Sequence, residues 1–100
     1  METKNYNVNI TNKARKRILE TGKYIYLEGN PINSIKYITK MFEFAYSLNL
    51  FPEKYPICRF LKYQKKGYRC AAFDDYIFIY SIEGKDIFLV NIIHSKRLKF

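Results

Sequence analysis

Four residues carry side chains whose combination can cut RNA: Arg69, Tyr80, His94 and Arg97. Cleavage by the substrate's own 2′-hydroxyl needs a proton acceptor, a proton donor for the leaving oxygen, and positive charge at the phosphorane. His94 can donate or accept a proton. Arg69 and Arg97 can grip a phosphate through paired N–H groups, and Tyr80 can stack on a base or pass a proton. The acidic candidates for a general base are Glu43 and Glu53, on either side of the end of a helical segment. The plainer role stands beside this one, because a lone histidine ending a strand is often an ordinary surface or capping residue.

The charge around these residues is uneven. The chain holds 18 Lys and Arg against 9 Asp and Glu, a net charge of +9, which points to an acidic partner: nucleic acid, an acidic protein or an anionic membrane. Between Lys54 and Phe73 lie Lys54, Arg59, Lys62, Lys65, Lys66 and Arg69 with no acidic residue, and Lys96, Arg97 and Lys99 follow near the end. Tyr55, Phe60, Tyr63, Tyr68, Tyr80 and Phe100 interleave with them. Cations for phosphates beside flat rings for bases is the composition of a single-stranded RNA site. Lys62, Lys65, Lys66 and Lys96 are the expected backbone contacts. The competing assignment is a solubilising face over core aromatics.

Other chemistries find little material. Two cysteines, Cys58 and Cys70, and a single histidine do not make a zinc site, and the cysteines are expected to be reduced, half-buried thiols. No metal or cofactor is expected. No apolar run reaches the ~18 residues of a membrane span, and METKNYNVNI lacks the apolar stretch of a signal peptide. A cytoplasmic location is expected, with no membrane partner.

The elements that must position these side chains follow from periodicity. Tyr6, Val8 and Ile10 alternate with Asn7 and Asn9, a half-buried strand. Thr11 and Asn12 offer helix caps. Ala14, Ile18, Gly22 and Ile25 then form an apolar helical stripe opposite Lys13, Arg15, Lys16, Arg17 and Lys23, ended by Gly29. Asn30 and Pro31 start a second helix with its stripe at Ile35, Ile38, Phe42, Ala45 and Leu48, closed by Pro52. The short joint makes the two an antiparallel hairpin. Residues 52–66 read mostly as loop, with room for one short strand. Residues 67–73, 76–82 and 86–94 read as strands separated by Asp74-Asp75 and Glu83-Gly84-Lys85. Tyr68, Cys70 and Ala72 share one face of the first of these, so Arg69 points to the other. The last two are apolar on both faces. They are therefore central in a sheet, or have a face covered by something beyond two helices, such as a partner. The order is β-α-α-β-β-β: a single α+β domain over 1–100, a helical hairpin packed on an antiparallel sheet. It has neither the strand–helix alternation of a Rossmann fold nor a phosphate-binding glycine loop.

In this order the segments resemble the RelE/ParE superfamily of toxins from bacterial type II toxin–antitoxin systems. YNVNITNKARKRI is similar to the family's first strand and helix entry, and LFPEKYP to the segment after its second helix. The most specific part is GYRCAAFDDYIFIYSIEGKDIFLVNIIHSKR. It holds the family's G-Y-R strand at Gly67-Tyr68-Arg69, its Y-x-x-x-Y-x-I at Tyr76 to Ile82, and its closing I-x-H-x-x-R at Ile92 to Arg97. The resemblance implies a growth-inhibiting toxin neutralised by an acidic cognate antitoxin. It implies one of two targets: messenger RNA, cut on the ribosome by a metal-independent endoribonuclease (an mRNA interferase), or DNA gyrase, inhibited without catalysis. For the first, Arg69, Tyr80, His94 and Arg97 fall where that branch keeps functional basic and aromatic residues. For the second, GYRCA and IIHSKR are at least as close.

Overall fold

A computed structural model describes residues 5–97. Strand β1 (Asn7–Ile10) leads into helix α1 (Asn12–Leu27). Helix α2 (Pro31–Ser47) runs back beside it. A 3-10 turn, Pro52–Lys54, and a one-turn helix α3 (Leu61–Gln64) precede strands β2 (Arg69–Phe73), β3 (Tyr76–Glu83) and β4 (Asp86–His94). The sheet order is β1-β4-β3-β2. The expected α+β architecture is present, with two differences. The sheet is mixed, because β1 pairs with β4 in parallel. The stretch read as loop also carries a 3-10 turn and α3. Its short strand is reduced to one bridge, Ile57 opposite Arg69.

The helices begin where their caps place them. Thr11 accepts from the Ala14 N–H at 3.2 Å and donates its hydroxyl to the Leu89 carbonyl at 2.8 Å, so one side chain caps α1 and ties its start to β4. Pro31 opens α2, and Gly29 makes the left-handed turn between the helices at φ +92°. The two helices approach closely at Gly22, where a Cβ would collide with Ile38. Ser34 seals that contact by donating to the Gly22 carbonyl at 2.6 Å. This close approach corrects the expected α2 stripe. Ser34 takes the inward position and Ile35, one residue on, is turned out to 68% exposure. Met41, Ala45 and Leu48 complete the buried edge.

Both faces of the sheet are covered by the chain itself. Against the helices lie Ala71, Phe78, Tyr80, Ile87, Leu89 and Ile92, packed on Ala14, Ile18, Met41, Ala45 and Leu48. Residues 52–68 wrap around the outer edge of β2 and set Cys58 and Tyr63 on the opposite face against Ile79, with Ile77, Val90 and Ile93 partly buried there. That lobe, rather than a partner, explains why β3 and β4 read as apolar on both sides.

The expectation of two free thiols is overturned. Cys58 and Cys70 form a disulfide with Cα atoms 4.9 Å apart. The reason is tertiary: Cys58 N–H donates to the Tyr68 carbonyl at 2.8 Å and Cys70 N–H to the Pro56 carbonyl at 3.1 Å, which lays the two cysteines on one face of a two-stranded contact.

A register shift in β4 sets the direction of its end. Ile79 faces Asn91, but Tyr80 faces Leu89, leaving Val90 as an extra residue. After this bulge the alternation is inverted. Asn91 turns to the lobe side, where its amide donates to the Tyr63 hydroxyl at 3.0 Å, and Ile92 turns to the helix side. His94, in register with Tyr76, follows Ile92.

Candidate functional site

Arg69 and Tyr80 are partners across the β2–β3 pair, on the helix-side face. Neither presents its polar group outward. The Arg69 guanidinium donates to the carbonyls of Tyr55 (2.6 Å) and Glu53 (3.2 Å), holding the 3-10 turn against the edge strand. Tyr80 has no exposed surface, and its hydroxyl donates to the Pro52 carbonyl. Burial raises the Tyr80 pKa above its ordinary value, with the Arg69 charge acting the other way. The expected stacking of a base on Tyr80 is therefore corrected: its ring is core, and its hydroxyl is used inside the protein.

His94 lies at the other end of β3. It faces Tyr76, four residues from Tyr80, with the rings edge to face at 5.0 Å. Four residues along a strand and two strand spacings across put His94 about 16 Å from Arg69 by Cα position. The Lys96 N–H donates to Nδ1 of His94 at 3.2 Å, so the proton of the neutral ring sits on Nε2. Beyond Tyr76 stands Tyr37, whose hydroxyl donates to Asp74 at 2.7 Å. Burial first, then that hydrogen bond, pushes the Tyr37 pKa up. Tyr76, Tyr37 and Asp74 are the polar neighbourhood of His94 that the sequence reading missed. The available signal was the register of β3 against β4 beyond the bulge.

The two acidic candidates stand away from the histidine. Glu53 accepts the Tyr6 hydroxyl at 2.8 Å, an interaction that raises the Tyr6 pKa, and belongs to the Arg69 end. Glu43 is exposed on α2. Arg97 ends a 3-10 turn, Ser95–Arg97. Its side chain, and Lys99 and Phe100 of the expected basic and aromatic end, lie outside the described residues. Among the described residues no group of three His, Cys, Asp or Glu could hold a metal ion, and no helix is long and apolar enough to cross a membrane. The structure thus brings Arg69, Tyr80 and Glu53 together at one end and His94 with Tyr76 at the other.

Lys62, Lys65 and Lys66 are exposed on and just after α3, on the sheet face away from α1 and α2. Lys96 is exposed too, and its neighbour Ser95 lines the same groove as Arg59, Ile57 and Phe60. Apolar side chains reach solvent elsewhere. Tyr24, Leu27, Ile32 and Ile35 are 66–71% exposed at the hairpin tip. Phe51 is 71% exposed on a left-handed backbone, φ 52°, a conformation costly for a bulky residue. Exposed apolar side chains in such number suit protein contact better than solvation.

Comparison with known proteins agrees with this architecture. A family model described as "ParE toxin of type II toxin-antitoxin system, parDE" matches residues 8–99. A solved structure titled "Chromosomal ParDE TA system from P. aeruginosa" contains a chain of similar fold. Its TM-score is 0.76 at 14% identity, covering 89% of this chain and 95% of that one. A search of curated proteins finds no match.

Proposed function

This chain belongs to the ParE toxin family of type II toxin–antitoxin systems, and from that premise we propose that it inhibits DNA gyrase by binding, without catalysis. It is the toxin of a parDE-type pair, with a cognate antitoxin as partner. The choice of gyrase over messenger RNA is carried by one observation. Among the described side chains the groups that cleavage would need do not converge: Arg69 and Tyr80 are engaged with backbone carbonyls, and His94 stands about 16 Å from Arg69. A phosphorane must be touched by its acid, base and cation together. The apolar side chains exposed on the hairpin tip and at Phe51 support the reading, since an inhibitor by binding needs anchors on a rigid frame.

The test is parallel measurement of DNA and protein synthesis after brief induction of this chain alone. It is joined to a supercoiling assay with purified gyrase. DNA synthesis should fail first, supercoiling should be inhibited, and His94→Ala should leave both effects in place. Failure of translation first, with the effect abolished by His94→Ala, would return the assignment to ribosome-dependent cleavage.

A further inference from the structure

We propose that the basic lobe carrying Lys54, Arg59, Lys62, Lys65 and Lys66 docks on the phosphate backbone of double-stranded DNA. All five are exposed. None has a carboxylate partner: the sole ion pair among the described residues is Arg17 with Glu20, on α1. Lys62, Lys65 and Lys66 follow within five residues on α3 and the turn after it, all exposed. Lys96 extends the charge across the groove that Ser95 and Arg59 share. So dense an unneutralised array is held at a cost in self-repulsion, which a polyanion relieves.

The rings decide which polyanion. A single-stranded site needs aromatic faces open to bases. Here the aromatics of the lobe are turned inward. Tyr63 is 8% exposed, stacks with Tyr68 at 6.2 Å between centroids, and accepts a hydrogen bond from Asn91. Phe60 and Tyr68 pack on the same cluster. Lys62 lies over Tyr63 at 5.5 Å and Lys66 over Tyr68 at 5.7 Å, while at the edge of β2 Lys54 lies over Tyr55 at 5.1 Å, a ring that packs on the helix-side core. The cations point outward and the rings serve as their supports. This surface reads charge and not bases, and regularly spaced phosphates of a duplex are its match. The disulfide fixes the lobe on the sheet, so the array is presented without a large ordering cost.

The proposal does not depend on gyrase being the target, because its test needs only the purified chain and DNA. Anisotropy of a labelled duplex is measured between 50 and 200 mM salt. Five phosphate contacts weaken binding about 500-fold over that range, and Lys62→Gln/Lys65→Gln/Lys66→Gln should reduce the loss to about 12-fold. Lys13→Gln/Lys16→Gln/Lys23→Gln on α1 should leave the salt dependence of the parent. Circular dichroism checks that each variant is folded, and Lys65→Gln alone, with a proportionally smaller change, replaces the triple variant if that fails to fold. Four results overturn the proposal: tighter binding to a single strand of equal length, equal competition by polyglutamate of equal charge, an unchanged salt dependence in the α3 variant, or an equal change in the α1 variant. Loss of gyrase inhibition with DNA binding intact would count against the gyrase reading alone.

Discussion

The two faces of the sheet are covered by different means. Among the described residues the helix side gathers eleven buried apolar residues into one cluster, the lobe side three. The helix side holds by area. Phe78 meets Phe44 edge to face at 5.0 Å, and β3, β4, α1 and α2 share one core. The lobe side holds by specific links, one disulfide and one hydrogen bond from Asn91 to Tyr63, and the Arg69 grip on two carbonyls ties down the chain where it passes the edge of β2. A small core gains little from burial, so a lobe of this size depends on links that a large cluster does not need.

The comparison can be broken by substitution. Phe78→Ala should cost the most, about 3–5 kcal/mol, and denaturant melts should show the whole domain losing stability. Cys58→Ala/Cys70→Ala closes no loop across the 12-residue separation and should cost about 3 kcal/mol by chain entropy. Its signature should be local: faster tryptic cleavage after Lys62, Lys65 and Lys66, with amide exchange in α1 and α2 unchanged. Equal loosening of the helices would end the distinction between the faces. A reducing compartment should act as this double variant does.

Arg69→Met should cost about 2 kcal/mol, since two charge-assisted hydrogen bonds are lost and the carbonyls of Glu53 and Tyr55 are left without their donor. A DNA-synthesis phenotype in Arg69→Met that tracks its melting temperature would identify the arginine as a strut. One that exceeds the loss of stability would assign it to the target interface. Smallest is Tyr80→Phe, about 1 kcal/mol near neutral pH. Its pH dependence has a definite sign. The pKa of folded Tyr80 is raised, so its contribution is whole below the ordinary tyrosine value near 10 and is lost as pH rises towards the folded value. The parent should lose stability above about pH 10, and Tyr80→Phe should flatten part of that slope. Tyr37 and Tyr6 add to the slope, since their pKa values are raised in the same direction.

The hairpin and the strands were legible because period and caps are local: Thr11, Gly29 and Pro31 do in the structure what their types require. Ile35 was misplaced because helical period alone cannot tell a stripe's centre from its margin; the close approach at Gly22 decides it. The disulfide was not legible, since two cysteines in a chain show no pairing until a bridge brings them together. Tyr80 could have been read as core from its shared parity with Phe78 and Ile82. His94 could not have been placed from parity. Counted from Ile87 by twos, it would point to the lobe, and the extra residue at Val90 reverses it.

The parallel pairing of β1 with β4 has a consequence during synthesis. Asn7 to Ile10 lie beside Asp86 to Leu89, so the first strand made has no neighbour until nearly the last has left the ribosome. Loop closure over such a distance is slow compared with formation of the helical hairpin. A nascent chain therefore carries the hairpin and an unpaired first strand until β4 joins it. The finished sheet, and the surface it carries, forms only once β4 is in place.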